Sequence, residues 1–161
     1  MMASNLLNPA LESVPSVLSQ SGQSVALTGT TSETVLATIP IPAGALRRHG
    51  RIRIWATGSV TANTNTKTLK VKIGSTVIGG AIATSAAGVS TFDIEANVVN
   101  GATPNSNFGS VIAFMGATVQ QAGANVGANM LNASTLTITG QLGTSTDTIT
   151  LNAYTVEVFN V

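Results

Sequence analysis

Cysteine is absent from this 161-residue chain, and charged side chains make up only 8% of it. The lack of cysteine excludes a disulfide framework and a thiolate metal site, so the fold must rest on a hydrophobic core. A chain of this length can build one, and a hydrophobic fraction of 43% excludes a disordered composition. The polar residues are mostly small and uncharged, and they cost less to desolvate than ions. This composition suits burial between subunits, although a Thr- and Ser-rich surface can also simply face solvent.

Long hydrophobic runs are also lacking. The longest nearly apolar stretch covers residues 111–119, about half of what a helix needs to cross a bilayer. The N-terminus has neither the basic start nor the continuous apolar stretch of a signal peptide. We therefore expect no membrane partner, and we expect synthesis in the cytoplasm.

Catalytic groups are scarce. The one histidine, His49, lies in a basic turn, where a lone histidine is far more often a surface residue than a general base. Nothing marks a nucleophile elbow, a phosphate-binding loop, a calcium loop or a metal cluster. Asp93 and Glu95 are the closest acidic pair and could approach a glycosidase spacing of about 5–9 Å, but nearby cations explain them more simply. The sequence therefore predicts a non-enzymatic protein without a cofactor or metal.

From residue 23 onward, apolar and polar residues alternate with a period of two, interrupted by Gly, Asn and Thr turns. This pattern predicts an all-β antiparallel β-sandwich or jelly roll, formed by one domain over residues 23–161. The expected strands cover residues 24–27, 33–41, 51–56, 68–73, 76–78, 90–97, 110–120, 135–141 and 148–161. We expect the first two to form a hairpin around Gly29, and residues 121–132 to form a loop.

The alternation also predicts which side chains face the core: Leu36, Ile39, Ile52, Ile54, Leu69, Val71, Ile73, Phe92, Ile94, Leu136, Ile138, Val156 and Val158. Phe159 and Val161 fall on the opposite face of the last strand. A strand that is apolar on both faces is normally covered on both. The cover is either the second sheet with the N-terminal segment, or a neighbouring subunit.

Residues 1–22 differ from the rest and are predicted to form an extended arm with at most one short helix, which Asn8 would cap and Pro9 begin. The arm contains the aliphatic residues Leu6, Leu7, Leu11, Val14, Val17 and Leu18. So many apolar side chains indicate that the arm docks, either on its own domain or on a neighbour.

All basic side chains lie between residues 47 and 72. Arg51 and Arg53 share one face of their strand, and so do Lys70 and Lys72. If the two strands pair, they form a cluster of like charges that needs neutralising, by Asp93 and Glu95 or by the acidic surface of a partner. The net charge of +1 and the lack of interleaved aromatic residues argue against nucleic acid.

Three sequence segments suggest a family. They are Thr28-Gly29-Thr30-Thr31-Ser32-Glu33-Thr34-Val35-Leu36-Ala37-Thr38-Ile39-Pro40-Ile41-Pro42-Ala43-Gly44, Arg51-Ile52-Arg53-Ile54-Trp55 and Lys67-Thr68-Leu69-Lys70-Val71-Lys72-Ile73-Gly74. Together they resemble a segment of small virion proteins of tailed bacteriophages. The resemblance covers residues 28–74 and implies a jelly-roll-like sandwich, often trimeric, used in capsid decoration or in head and tail fibres. It implies no catalytic residues.

We therefore expect a capsid decoration (cement) protein of a bacteriophage virion, assembled in the host cytoplasm. Its partners would be the major capsid protein or other virion proteins, and it would form a homo-oligomer, with a trimer favoured. The expected contact residues are Leu6, Leu7, Leu11, Val14, Val17, Leu18, Arg51, Arg53, Lys70, Lys72, Phe159 and Val161. The alternative is a head-fibre or tail-fibre module whose loops at 58–66, 100–109 and 121–132 bind a host-surface carbohydrate, although aromatic platforms for sugars are few at 4%.

Overall fold

A computed structural model describes residues 14–160, and this part of the chain contains strands and no helix. The strands are β1 (Ser16–Ser21), β2 (Val25–Leu27), β3 (Thr34–Ile41), β4 (Arg51–Val60), β5 (Lys67–Ile73), β6 (Thr76–Val77), β7 (Ile82–Thr84), β8 (Thr91–Asn100), β9 (Asn107–Met115), β10 (Thr118–Asn125), β11 (Ser134–Leu142) and β12 (Ile149–Phe159). Since no helix is present in residues 14–160, none there could span a membrane.

The strands form two sheets in which every pair is antiparallel. The large sheet has the order β1-β12-β4-β8-β9-β10, with β2 also paired to β12. The small sheet has the order β3-β11-β5-β6, with β7 also paired to β5. The inner faces of the two sheets enclose one hydrophobic core. This architecture confirms the predicted all-β antiparallel sandwich.

The core follows from the alternation of side chains along each strand. On β4 and β8, every second residue is buried and the residues between them are partly or fully exposed. Every side chain predicted to face the core is buried, from Leu36 on β3 to Val158 on β12. The core prediction is therefore confirmed, and it depends only on the period of two.

The predicted hairpin of the first two strands is wrong. β2 pairs with β12 in the large sheet, whereas β3 pairs with β11 in the small sheet. Between them the chain crosses from one sheet to the other, past Gly29, which has a φ of 81° and donates its N–H to the Ser145 carbonyl at 2.8 Å. Glycine suits this position because it adopts a positive φ without steric cost.

The expected single strand over residues 110–120 is wrong as well. The chain turns back at Gly116, whose φ is 60°, so that β9 and β10 form a hairpin with Met115 opposite Thr118. β10 extends to Asn125, through residues that were predicted as part of a loop, and it is the edge strand of the large sheet.

Part of the predicted arm joins the sandwich. β1 pairs with β12, with Ser16 opposite Val158, so this part docks on its own domain. Leu18 packs against the core, whereas the Val14 and Val17 side chains are 76% and 54% exposed. Leu6, Leu7, Leu11 and Val161 lie outside the described residues, as does nearly all of the expected short helix.

Candidate functional site

The basic residues of β4 and β5 do not form the common cluster that pairing of their strands would have produced. β4 lies in the large sheet and β5 in the small sheet. Consequently Arg51 and Arg53 project from one side of the sandwich, and Lys70 and Lys72 from the other. The alternation placed each pair correctly on one face of its strand but could not reveal that the strands belong to different sheets.

On the small sheet, Glu33 neutralises both lysines. Its carboxylate lies 2.6 Å from Lys70 Nζ and 3.1 Å from Lys72 Nζ, and it accepts a hydrogen bond of 2.9 Å from the Thr139 hydroxyl. The hydrogen bond from Lys70, followed by those from Thr139 and Lys72, lowers the pKa of Glu33 from 4.5 to about 2. The prediction that Asp93 and Glu95 would neutralise these lysines is therefore wrong.

On the large sheet, Arg53 is held by Glu157. Arg53 Nε and Nη2 donate to the same carboxylate oxygen at 2.9 and 2.6 Å. The guanidinium carbons of Arg51 and Arg53 lie 4.6 and 5.2 Å from the centroid of the Phe159 ring, a cation–π arrangement. Phe159 thus receives part of its cover from its own chain.

We call the solvent side of strands β12, β4, β8, β9 and β10 the outer face. The strand registers align its side chains in rows across the sheet. The first row is Phe159, Arg51, Val99, Phe108 and Asn125, and the fourth is Ala153, Thr57, Asp93, Phe114 and Val119. Between them lie a second row of Glu157, Arg53, Asn97, Ser110 and Gly123, and a third row of Thr155, Trp55, Glu95, Ile112 and Gln121.

Large apolar side chains concentrate on the outer face of β8, β9 and β10. We call this set the apolar patch: Val99, Phe108, Ile112, Phe114 and Val119, whose exposed fractions lie between 37% and 56%. The chain has four Phe, one Trp and one Tyr, yet only Phe92 is fully buried, whereas Trp55, Phe108, Phe114 and Phe159 belong to the outer face. Val99 and Phe108 lie in the first row and the other three in the third and fourth, and such concentrations of exposed apolar side chains typically mark interaction sites.

The apolar patch was not anticipated from the sequence. The sequence pattern predicts one strand over residues 110–120 in place of the hairpin of β9 and β10, and it identifies the buried residues without grouping the exposed ones. The available signal was that Phe108, Ile112 and Phe114 alternate with Gly109, Val111, Ala113 and Met115, which are all buried. β9 is therefore apolar on both faces, and its larger side chains point outward.

Beside the patch, Trp55 lies in an open cleft of about 320 Å³. The cleft is lined by Arg53, Trp55, Glu95, Thr155 and Glu157, and the indole is 44% exposed. Glu95 accepts a hydrogen bond of 3.2 Å from Asn97 Nδ2. The cleft thus offers an aromatic face surrounded by groups that can donate and accept hydrogen bonds.

Of the residues considered for catalysis, Asp93 and Glu95 are neighbours on the outer face of β8, and His49 lies apart from them. Asp93 lies in the fourth row between Thr57 and Phe114 and does not line the Trp55 cleft. His49 lies in the turn 47–50, next to the first row, where it adopts a φ of 61°. No group of three or more His, Cys, Asp or Glu residues that could hold a metal occurs within residues 14–160.

Lys67 forms a different arrangement from the other cations, because it is buried. Its ammonium donates to the Asn65 carbonyl at 2.8 Å and to Asn63 Oδ1, and it lies 3.4 Å from Asp147 Oδ2. Asn63 Nδ2 donates to Asp147 Oδ1 at 2.7 Å, and this bond is the largest cause of the lowered pKa of Asp147. The cluster ties the loop before β5 to the loop before β12, which is a structural role.

The loops considered for carbohydrate binding are shorter than expected, since parts of them belong to β4, β8, β9 and β10. Two of them meet: Met130 N donates to the Pro104 carbonyl at 3.1 Å, and Leu131 lines a cleft of about 300 Å³ with Ala102, Thr103 and Pro104. The third loop lies apart from these two. The loop after β8 joins the turn at Gly50, because Asn100 N donates to the Gly50 carbonyl at 2.9 Å. The loop 61–66 follows Val60, at the other end of β4.

Comparisons with known proteins identify a similar fold but do not assign the chain to a family. No model of a known protein family matches the sequence, and no curated protein matches it. Lectin I from Ulex europaeus, in complex with the methyl glycoside of α-L-fucose, has a similar structure, with a TM-score of 0.50, 10% identity, and coverage of 89% of this chain and 92% of the lectin. Lectin II from the same source has a TM-score of 0.46 at 9% identity over 92% of this chain and 96% of the lectin.

The CBM2 module of the evolved Dit protein of Lactobacillus casei BL23 phage J-1 has a TM-score of 0.35 at 13% identity. That alignment covers 77% of this chain and 69% of the phage protein. At such identities the likeness is one of fold alone. The fold shared with the Ulex lectin is an all-β sandwich.

Proposed function

We propose that this chain is a structural subunit of a bacteriophage virion that decorates the shell, and that its outer face contacts neighbouring subunits. The observation that carries this proposal is the apolar patch on β8, β9 and β10. The resemblance of residues 28–74 to small virion proteins of tailed phages supports the virion as the location. Its partners would be the major capsid protein or other virion proteins.

The energetics favour contact between proteins at this patch. Its side chains expose roughly 400 Å² together, within the range of the largest patches on monomeric proteins. Covering that area would contribute about 10 kcal/mol at ~25 cal/mol per Å², before the costs of association. Arg51, Glu95 and Asp93 lie in the same rows as the patch, so a partner surface must offset the cost of desolvating them. Repetition over a shell would strengthen even a modest contact through multivalency.

The N-terminal residues are a second element of this proposal. Leu6, Leu7 and Leu11 remain predicted contact residues, and Val14 and Val17 are exposed at the start of the described chain. An arm that leaves the sandwich at β1 could lie on a neighbouring subunit while β1 stays paired with β12.

The test is binding to shells assembled without this protein. We expect the double variant Phe108→Ser, Phe114→Ser to remain folded but to lose most shell binding in a co-sedimentation assay. Val35→Ser is the matched control, because Val35 is 50% exposed on the small sheet. If the double variant decorates shells as well as the wild type does, the outer face is not the contact surface. The mass ratio to the shell protein distinguishes decoration from a few fibre copies per particle.

A second candidate function, carbohydrate binding by a fibre-type module, is favoured by the Trp55 cleft. The exposed indole could pack against the apolar face of a sugar ring while Arg53, Glu95 and Thr155 bond its hydroxyl groups. The fucoside belongs to the Ulex lectin, and a shared fold does not transfer its ligand.

Glycan-array binding followed by titration calorimetry tests this second candidate. We expect Trp55→Ala to abolish binding of any glycan that the wild type retains, whereas Val35→Ser should keep it. If the wild type binds no host-surface glycan, or if Trp55→Ala binds as the wild type does, the cleft is not a sugar site.

A further inference from the structure

The charges of the outer face are ordered along its strands. Arg51 lies in the first row and Arg53 in the second, whereas Glu95 lies in the third and Asp93 in the fourth. Arg53 is paired with Glu157, but Arg51, Asp93 and Glu95 form no salt bridge with any residue in the range 14–160. One end of the face is therefore cationic and the other end is anionic.

We propose that the outer face binds the outer face of a second copy of this chain, related by a two-fold axis that lies in the interface across the strands. This inference rests on the proposed role of the outer face as a contact surface between subunits, and it takes the subunit at this face to be a second copy, so that loss of the dimer would weaken shell binding through lost multivalency. Such an axis places each strand over its own copy in the opposite direction, so the first row of one copy meets the fourth row of the other. A contact of one surface with itself is isologous and closes as a dimer.

The pairing brings complementary side chains together. Phe108 of one copy lies over Phe114 of the other, and the same contact occurs twice by symmetry. Arg51 lies over Thr57 of the second copy, one strand spacing, about 4.8 Å, from its Asp93. A long arginine side chain spans that offset. The end rows of the interface thus hold both the aromatic contacts of β9 and the opposite charges of β4 and β8.

The area is adequate for a stable dimer. Five strands spaced ~4.8 Å apart, each about nine residues long at ~3.3 Å per residue, give a face of roughly 700 Å². Standard protein–protein interfaces bury about 800 Å² per partner.

Residues 1–13 of the same chain are the other possible cover for this face. They contain one charged side chain, Glu12. The side chains of this segment include a partner for Arg51 but no cation for Asp93, whereas a second copy offers a side-chain partner to both. The charge pattern therefore favours the second copy.

The experiment is sedimentation velocity of the full chain over a range of concentrations, with charge-reversal variants. We expect the wild type to dimerise, and Arg51→Glu or Asp93→Arg to weaken the dimer roughly 10- to 100-fold, because each places like charges together. The combined variant Arg51→Glu, Asp93→Arg should restore dimerisation to within about threefold, since it restores opposite charges. Phe114→Ser should yield monomers, and Val35→Ser should dimerise as the wild type does. Circular dichroism would show that each variant is folded.

Several outcomes would overturn the inference. The inference is wrong if the wild type is monomeric at all concentrations or forms a trimer, or if the combined charge reversal does not restore the dimer. It is also wrong if the dimer is lost on deletion of residues 1–13 but not in the outer-face variants. Shell binding separates this inference from the proposed function. If the wild type is monomeric but its shell binding needs Phe108 and Phe114, the dimer inference is wrong and the proposed shell contact stands. If the combined charge reversal restores the dimer but the protein never binds shells, the dimer inference stands and the proposed function is wrong.

Discussion

Gly58 is the position where one added methyl group should disturb the sandwich most. It lies near the end of β4, on the inner side, with Phe92 beside it on β8 and Leu151 beside it on β12. A Cβ atom there would lie 2.1 Å from the Thr150 carbonyl oxygen and 2.3 Å from Phe92 Cζ. Neither neighbour can yield easily, because one is backbone and the other is a fully buried ring.

We expect Gly58→Ala to destabilise the fold by about 3 kcal/mol, the upper end of the usual cost of overpacking a core. For a protein of this size, each kcal/mol lowers Tm by roughly 2–4 °C, so Tm should fall by about 6–12 °C. The position also matters for the outer face. The register between β4 and β12 shifts between Leu151 and Ala153, next to Gly58. This shift sets which β12 residues lie beside Arg53 and Trp55.

Thermal and urea unfolding of the full chain would measure the effect. Gly88→Ala is the matched control, because Gly88 is exposed and a Cβ atom there would meet nothing within 4 Å. We expect the free energy of unfolding of the control to lie within about 1 kcal/mol of the wild-type value. If Gly58→Ala unfolds with the same midpoint as Gly88→Ala, Phe92 does not pack over Gly58 as described.

Two further predictions concern the ion pairs of the sandwich. The pKa of Glu33 is about 2 in the folded chain, below its ordinary value of 4.5. Its ion pairs therefore add their full contribution to the free energy of unfolding above pH 4.5, and this contribution is lost as the pH falls towards 2. Urea unfolding at pH 6 should therefore show that Glu33→Gln is less stable than the wild type by up to about 1 kcal/mol. The value is small because the site is partly exposed. A difference in the free energy of unfolding that stays constant down to pH 2 would contradict this prediction. Lys67→Met should lower Tm more than Lys70→Met, since it leaves Asp147 buried without its cation, and equal midpoints would contradict the described burial.

The core and the fold class could be predicted from the sequence because both depend on local alternation. Ile52 and Ile54 point to the same side of β4 whichever strands flank it, and the same holds for Phe92 and Ile94 on β8. Each of these four side chains is fully buried. A period of two fixes the face of a side chain without any knowledge of strand order.

Strand pairing could not be predicted in the same way, because it depends on contacts between distant parts of the chain. β2 is close in sequence to β3 but pairs with β12, and β5 follows β4 but lies in the other sheet. This is why Glu33, and not Asp93 or Glu95, neutralises Lys70. Local pattern gave the correct face of each cation, and only the topology decided which carboxylate it meets.

The two faces of β9 show how the outer face could have been found. Toward the core, β9 presents Gly109 and Ala113 beside Val111 and Met115, whereas toward solvent it presents Phe108, Ile112 and Phe114. A strand that only had to cover its own core would place its rings inward, because burial of a ring is worth several times that of a methyl group. Here the rings point away from a core that is already closed. The rings can stabilise the protein through burial only when a second surface covers them. The order of charges from Arg51 to Asp93 favours the outer face of another copy as that surface.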